Sequence, residues 1–277
     1  MRLFGHRPTV LAWIGILIVS AFIAVAILAP WIAPYSESES VSETWADMST
    51  QYPLGTDNIG RDILSRLIFG ARMTIGIALA TTLLSFTIGT TLGFAAAAFG
   101  RAVDQILSRI VDVVLSVPVL VWALILLQGA NGSIVALVLT LAGLDSTRVF
   151  RLARAVATNL VAMDFVEVAR LRGEGLGWIM FREILPNALP PMITEFGLRF
   201  CFNFLFLASL SFLGFGIQPP FADWGSMVRE SGGGINQGVV AALWPALAIA
   251  LMTIGVNLIV DWVLSINARP SGASAEL

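Results

Sequence analysis

The residues from Asp164 to Pro191, DFVEVARLRGEGLGWIMFREILPNALPP, form a polar stretch between long apolar runs. The first residue and Glu167 have the spacing of a helix-capping box, which predicts a short helix beginning here. Gly173 is predicted to end that helix, and Leu176 to begin a second apolar turn. Pro186, Pro190 and Pro191 are predicted to mark where the chain turns into the next apolar run. A polar insert gains nothing from lipid, so we expect it to contact something in the aqueous phase rather than to serve as an ordinary loop.

The composition indicates an all-α, polytopic membrane protein. Hydrophobic residues make up 57% of the 277 residues and charged residues only 12%, unlike a soluble domain. Several apolar runs reach the ~20 residues that cross a bilayer as a helix. A further run, Ile134 to about Ala155, is apolar at first and rich in arginine later, so we interpret it as a span whose last turns leave the membrane. The other five predicted spans are Val10–Ala33, Ile75–Phe99, Ile110–Gln128, Glu195–Phe215 and Val239–Ile266.

The distribution of arginine predicts the orientation of these six spans, since the chain contains no lysine. With the N-terminus inside, eleven of the sixteen arginines fall on inner segments, four on outer segments, and Arg199 within a span. This excess obeys the positive-inside rule, and it predicts that both termini and the stretch that starts at Asp164 are cytoplasmic. The chain is therefore expected to be a multi-pass membrane protein.

These spans divide the chain into five predicted parts. Residues 1–9 form a cytoplasmic N-terminus, 10–33 the first transmembrane helix, and 34–73 a periplasmic loop. Residues 74–266 form the transmembrane core with its cytoplasmic loop at about 156–190, and 267–277 form a cytoplasmic tail. The periplasmic loop is predicted to contain an amphipathic helix, capped by Thr56 or Asp57. It either rests on the outer membrane interface or merely leads into the second span.

Several classes of site are excluded by residues that the sequence lacks. The single histidine, His6, leaves no histidine-based metal centre and no Ser-His-Asp set. The single cysteine, Cys201, excludes an internal disulfide and a cysteine-rich metal site. Without lysine the chain has no Walker A motif, so it is predicted not to hydrolyse ATP. We expect no catalytic residue, no metal and no cofactor, and no basic stripe suits nucleic acid.

Three ordered blocks carry a family resemblance. Glu167-Val168-Ala169, Gly173 and Ile184-Leu185-Pro186 resemble the EAA loop of ABC importer permeases, with Val168 in place of one alanine of the Glu-Ala-Ala pattern. PLGTDNIGRDILSRLIFGAR from Pro53 to Arg72 and SLSFLGFGIQPPFADWGSM from Ser209 to Met227 are similar to the second permease of dipeptide, oligopeptide and nickel importers. The blocks keep the family order over nearly the whole chain.

The resemblance implies a type I ABC importer permease fold in the bacterial inner membrane and transport by alternating access. It implies several partners: a second permease of similar fold, two ATP-binding subunits, and a periplasmic or lipid-anchored substrate-binding protein, all around spans that contact membrane lipid. The implied ATPase-coupling residues are Glu167, Ala169, Gly173, Ile184, Leu185 and Pro186. Short peptides are the favoured substrates, with nickel chelates, opines or other modified peptides as alternatives that the sequence does not separate.

The outer segment Gly216–Met227 offers two readings. Its residues Gln218, Pro219, Pro220 and Trp224 either contact the binding protein and frame the mouth of the transport path, or form a rigid structural turn.

Small and charged residues within the spans also allow alternatives. Gly89 and Gly93 permit close helix approach, inside the subunit by default or against a partner permease. Glu195 and Arg199 are spaced to pair on one helix face, either at the interface or toward protein and water. The competing function is a self-sufficient secondary transporter or channel. Such a protein usually needs coupling residues at mid-membrane or discontinuous repeated helices, and neither is clear here.

Overall fold

The part of the chain that the structure describes is built from helices joined by loops. The structure is a computed structural model that describes residues 8–267, apart from the side chains of residues 236, 237 and 267. The α-helices are α1 Val10–Ile32, α2 Ile63–Ala98, α3 Arg101–Leu115, α4 Val119–Gln128, α5 Ile134–Val161, α6 Asp164–Leu171, α7 Leu176–Trp178, α8 Leu185–Phe212, α9 Trp224–Ser231 and α10 Leu243–Asn267. A π-helix, Ile179–Ile184, joins α7 to α8, and a 3-10 helix, Gly232–Gln237, follows α9. Extended backbone within the described residues forms two isolated bridges and no strand.

The chain divides into two compact units. The first contains the described residues up to Leu79, the segment Ala130–Leu137, and the described residues from Phe200 onward. The second contains Ala80–Gly129 and Val138–Arg199. The long helices α2, α5 and α8 each supply residues to both units, and the stretch that carries the EAA-like motif lies wholly in the second.

The first unit is built on close packing of α1 against α10. Thr9 caps α1, and its side chain accepts a hydrogen bond from the backbone N–H of Ala12. A Cβ atom on Gly15 would lie 2.6 Å from the carbonyl oxygen of Gly255, so only glycine allows this approach. In the same unit Trp224 is fully buried, with the rings of Phe22 and Phe204 packed edge-on against it.

The second unit is built on close packing of α2 against α5. A Cβ atom on Gly89 would lie 2.6 Å from the carbonyl oxygen of Ser146, and one on Gly93 would lie 2.7 Å from the Cβ of Ala153. The small-residue spacing of α2 is therefore used inside the subunit, as the default interpretation predicts. The buried core of this unit continues along α5 into α6 and the first turns of α8.

The predicted count of six spans is not confirmed. Four helical segments of the described residues are long and apolar enough to cross a membrane, including the continuous stretch Leu176–Phe212, and a fifth is added if α3 and α4 form one span. These two helices meet at an 83° bend, so the predicted span Ile110–Gln128 is broken. The predicted sixth span corresponds to α5, whose central and later turns carry Asp145 and three arginines.

The segment before α2 corrects the predicted amphipathic helix. The helix begins only at Ile63, where Asp62 accepts a hydrogen bond from the backbone N–H of Ser65 at 2.7 Å, and it continues unbroken into the second apolar run. Neither Thr56 nor Asp57 caps it, because Gly60 turns the chain with φ +80° before the helix starts. The polar face expected to meet water is buried instead.

Both predicted tails lie largely outside the described residues. The N-terminal prediction rests on residues 1–7, with Arg2, His6 and Arg7, and the C-terminal one on residues 268–277, with Arg269.

Candidate functional site: the coupling segment

The stretch that carries the EAA-like motif, residues 164–186, begins with the short helix α6 and ends in the first turn of α8. We call it the coupling segment, after the role that the resemblance implies. The N-cap of α6 is Met163, with no side-chain hydrogen bond, so Asp164 is the first helical residue rather than the cap. The predicted capping box with Glu167 is therefore not formed. Both carboxylates lie in the first turn, where they interact favourably with the positive end of the helix dipole. The first N–H groups are partly satisfied by the backbone, since Val166 N–H donates to the carbonyl of Met163.

Gly173 ends α6 in the way that helix C-termini commonly end. Its φ of +79° lies in the left-handed region, which side chains with a Cβ disfavour. The N–H of Gly173 donates to the carbonyl of Arg170, and the N–H of Glu174 to that of Ala169. These two bonds form a Schellman motif, which holds the turn rigid. A Cβ at this position would meet nothing within 4 Å, so glycine is needed for its backbone angle and not for close approach.

The predicted turn at the prolines does not occur. Residues from Leu176 to Phe212 form one continuous helical stretch, with Pro186 exposed in the first turn of α8 and the pair Pro190-Pro191 inside that helix. Proline lacks the N–H that the helix interior requires. The π-helix before α8 shifts the register of the backbone hydrogen bonds by one residue. The N–H of Leu185 donates to the carbonyl of Met180, five residues back instead of the four of an α-helix.

The coupling segment packs its inner face into the core of the second unit. Ala169 and Ile184 have no exposed side-chain surface, and Leu185 is half-buried. Together with Val166 and Ile179 they pack into the same cluster as residues of α2 and α5. Burial of a large apolar side chain contributes ~1.5–3 kcal/mol, so this face anchors the segment firmly. Three of the predicted coupling residues, Ala169, Ile184 and Leu185, thus build the segment from inside, whereas Glu167, Gly173 and Pro186 are exposed.

The outer face of the segment is apolar and accessible. Leu171 keeps 82% of its surface exposed, and Val168, Trp178 and Phe181 are also exposed. We call these four residues the outer face. Sequence reasoning did not single out Leu171, although its spacing of three from Val168 places both on one side of α6. An exposed apolar patch of this kind is typical of a protein-binding surface.

A charged clip joins the two halves of the coupling segment. The guanidinium of Arg172 lies 5.6 Å from the ring centroid of Trp178, and its Nη2 lies 3.5 Å from Oε1 of Glu183. These contacts tie the end of α6 to α7 and the π-helix across the Gly173 turn. No spacing rule predicts a pair eleven residues apart across a turn, so only the structure shows it.

In the segment Gly216–Met227, one of the residues predicted to contact the binding protein is buried. Trp224 has no exposed surface, and its Nε1–H donates to the carbonyl of Leu67 at 2.9 Å. It is the first residue of α9 and offers no surface to a partner. Gln218 is half-buried and donates to the carbonyls of Gly214 and Gly216, while Pro219 and Pro220 are exposed.

The helix α9 begins at Trp224, within this segment, and Asp223 caps it. The Asp223 carboxylate accepts hydrogen bonds from the backbone N–H groups of Gly225 and Ser226. Burial raises the pKa of this carboxyl above its usual range, although the hydrogen bonds from Ser226 and Gly225 oppose that rise.

A buried charge cluster lies around the start of α2, and no spacing rule predicted it from the four charged residues. Nε of Arg61 lies 2.6 Å from Asp57, and its Nη2 lies 2.6 Å from Glu230 on α9. Nη1 of Arg66 lies 2.9 Å from Glu230 and also contacts Asp57. Two arginines and two carboxylates balance one another, which is what buried charges require. The cluster ties the segment before α2 to α9.

A second group of charged residues connects α8 to α5 and α2. Nε of Arg199 lies 2.6 Å from Oε1 of Glu195, as the helical spacing predicts, and its Nη1 lies 3.5 Å from Oδ1 of Asp145. The hydroxyl of Ser85 donates to the other Asp145 oxygen at 3.0 Å. Because α8 begins at Leu185, Arg199 lies at mid-helix and not in the first turns of the helix, where the predicted span Glu195–Phe215 placed it. The choice between the interface and a contact with protein or water stays a prediction. A charge at the centre of a membrane-spanning helix costs at least about 2.5–3.5 kcal/mol on insertion scales. Asp145 was not singled out, although an acidic residue in an apolar run is itself a signal.

Comparison with known proteins supplies the family. Residues 89–269 match the family model described as binding-protein-dependent transport system inner membrane component. Residues 9–53 match the N-terminal TM domain of oligopeptide transport permease C. The chain belongs to this permease family.

Curated relatives agree with that assignment. The permease is 33% identical to a dipeptide transport system permease protein of Alkalihalophilus pseudofirmus over 252 residues, covering 91% of this chain and 83% of that protein. It is 37% identical to a dipeptide transport system permease protein of Escherichia coli over 261 residues, covering 90% and 86%. A solved chain of an amino acid ABC transporter with histidines aligns with a TM-score of 0.48 at 25% identity, covering 74% of this chain and 93% of that chain.

The permease is accordingly an all-α inner membrane component of an ABC importer. It is non-catalytic, and ATP is hydrolysed by separate subunits of the transporter. Among the described residues no group of three or more histidine, cysteine or carboxylate side chains is placed to hold a metal ion.

Proposed function

We propose that this permease translocates short peptides, or chemically related small solutes, across the inner membrane. The relatives named dipeptide transport permeases support this substrate class, since the chain matches them over nearly its whole length. We propose further that it acts with a second permease of similar fold, two ATP-binding subunits and a substrate-binding protein. The alternative of a self-sufficient transporter or channel does not account for a rigid, partly apolar coupling segment.

The single observation that carries the proposed mechanism is the outer face of the coupling segment. Leu171, Val168, Trp178 and Phe181 are exposed apolar residues on a segment whose inner face is anchored in the core. Seating these residues in a cleft of an ATP-binding subunit would bury them, at ~1.5–3 kcal/mol for each large side chain. Closure of the ATP-binding subunits would then displace the segment and, through its buried inner face, the helices α5 and α8.

Rigidity of the segment supports this role, because a flexible loop absorbs displacement instead of transmitting it. The Schellman turn at Gly173 fixes the angle between the two halves. The Arg172 clip to Trp178 and Glu183 adds a second connection across that turn. The six residues implied by the EAA resemblance, Glu167, Ala169, Gly173, Ile184, Leu185 and Pro186, belong to this segment, where the buried ones support the outer face.

The orientation that we propose places the coupling segment and both termini in the cytoplasm, as the arginine distribution favours. The segment Gly216–Met227 is then periplasmic, and Pro219 and Pro220 are its exposed residues. We infer that these prolines and Gln218 lie at the surface that receives the binding protein, while Trp224 holds their support in place. Each compact unit would thus carry one docking surface.

The substitution Leu171→Glu tests the proposed function. The side chain lies outside the core, so membrane insertion and the fold of the permease should stay normal. A carboxylate at the centre of an apolar contact would be buried without a partner, so we expect co-purification of the ATP-binding subunits and ATP-driven peptide uptake to fall at least about tenfold. Both quantities are measured on the assembled transporter.

The matched control is Gln51→Glu, which adds the same charge at an exposed position in the segment before α2. We expect wild-type subunit binding and uptake for this variant. Normal ATPase binding and uptake in Leu171→Glu would show that the outer face is not the contact, and the proposed mechanism would be wrong.

A further inference from the structure

The charged residues Asp145, Glu195 and Arg199 form a cluster near the middle of the helices α5 and α8. We call this cluster the mid-span triad. Arg199 is the fifteenth of the 28 residues of α8, and Asp145 is the twelfth of the 28 residues of α5. At 1.5 Å per residue, Arg199 lies about 20 Å from either end of its helix. The Ser85 hydroxyl that binds Asp145 belongs to α2, which like the stretch containing α8 is long and apolar enough to cross a membrane. The triad therefore lies within candidate spans and away from the ends of their helices.

The triad is only partly enclosed by the chain. Asp145 is buried, but the side chains of Arg199 and Glu195 keep 20% and 18% of their surface exposed. Lipid does not solvate charges within a span, so the exposed edge must face protein or a water-filled path. The ring of Phe196, the residue after Glu195, packs edge-on against Phe86 of α2.

The roles of the three charges differ. Asp145 is held by both Ser85 and Arg199, and its position keeps the guanidinium from rotating away. Arg199 and Glu195 are one helical turn apart on the same face, with charges of opposite sign at the exposed edge. Side chains at this spacing have Cβ atoms about 5–6 Å apart.

We propose that the mid-span triad binds the two charged ends of a dipeptide as it crosses the membrane. The inference rests on the proposed peptide-import function and names a binding site for it. The peptide carboxylate replaces Glu195 on the guanidinium of Arg199, which forms bidentate bonds with carboxylates. The released Glu195 carboxylate then accepts hydrogen bonds from the peptide ammonium.

Two physical quantities fit a dipeptide. A zwitterion brings one charge of each sign, so the exchange leaves the total charge at this depth unchanged. Two extended residues span at most about 7 Å, which agrees with side chains one helical turn apart. A longer peptide would not reach both partners with its ends while extended.

The test uses the complete transporter, with its binding protein, in proteoliposomes. ATP-driven uptake of dialanine, of its C-terminal amide and of tetra-alanine is compared for the wild type and for Arg199→Gln. The affinity of the binding protein for each probe is measured separately, and each probe is supplied at saturating concentration. We expect the wild type to import dialanine about tenfold faster than the other two probes, and Arg199→Gln to lose this preference.

Arg151→Gln is the matched control, because Arg151 forms an ion pair with Asp112 at an exposed position of α5. It should keep the wild-type preference. If Arg199→Gln does not assemble, Arg199→Lys replaces it: the charge stays, the bidentate fork is lost, and we expect assembly without the preference for dialanine.

The outcomes separate the two proposals. An assembled Arg199→Gln or Arg199→Lys transporter with wild-type rates and preference would assign the triad a structural role only and overturn this inference. A wild-type transporter that imports none of the three peptides would contradict the proposed peptide function itself, and the triad proposal with it.

Discussion

The residue Gly173 shows how a single backbone angle determines the coupling segment. The family resemblance singles out this glycine, and its possible reasons are a close approach or an unusual backbone angle. The structure separates the two, since open space surrounds the Cα while φ is +79°. Any L-residue other than glycine is strained there, by roughly 1–2 kcal/mol, and asparagine is the best tolerated substitute.

This distinction gives a prediction about side-chain size. Gly173→Ala and Gly173→Phe should weaken the Schellman turn about equally, because strain at φ does not depend on bulk. In the purified permease, trypsin should cleave after Arg170 and Arg172 about tenfold faster in both variants than in the wild type. Gly173→Asn should lie between them and the wild type. Faster cleavage in Gly173→Phe but not in Gly173→Ala would instead indicate a steric role.

Single residues were predictable where local rules act and not where distant residues meet. The turn at Gly173 follows from a glycine at the end of a short helix pattern, which is local. The burial of Trp224 depends on Phe22 and Phe204, which lie far away in the sequence, so no spacing rule reveals it. For the same reason the Glu195–Arg199 pair was predicted, but Asp145 as its third member was not.

At the scale of elements, the apolar runs located most helices but misplaced their ends. The helix α2 begins at Ile63, twelve residues before the predicted start of the second span at Ile75, because Asp62 caps it ahead of the apolar run. The helix α8 keeps Pro190 and Pro191 in its interior, where a break was predicted. Helix ends depend on caps and on register shifts such as the π-helix before Leu185, which hydrophobicity does not record.

The packing of α2 against α5 gives a prediction with a control in the same helix. Gly89→Ala would bring a Cβ to 2.6 Å from the Ser146 carbonyl, so we expect it to destabilise the permease by ~1–3 kcal/mol. Gly76→Ala, where a Cβ meets nothing within 4 Å, should be neutral or stabilising by ~0.5–1 kcal/mol. Thermal unfolding of the two variants in detergent measures the difference, and equal melting temperatures would contradict this packing.

At the scale of the whole molecule, composition predicted the class of protein but not the number of spans. The helix α5 is not among the helices that are apolar enough to cross a membrane, because it contains Asp145 and the arginines of its later turns. Arg151 pairs with Asp112 of α3, and Nη2 of Arg154 donates to Asp104 of α3 at 2.6 Å. Charges paired between helices can be tolerated in a membrane protein, but the hydropathy of the sequence does not record such pairing.

The orientation of the whole chain is the last prediction, and the native cysteine content makes it testable. Cys201 is buried and is removed as Cys201→Ala, so a single new cysteine reports its own side of the membrane. In that background we place Leu171→Cys on the coupling segment and Gln51→Cys in the segment before α2, both at exposed positions. A membrane-impermeant maleimide should label Gln51→Cys from outside intact spheroplasts and leave Leu171→Cys unlabelled, because the arginine distribution places the coupling segment inside. In inverted vesicles the pattern should reverse. Labelling of Leu171→Cys from outside would place the outer face away from ATP, and the proposed coupling role would then be physically impossible.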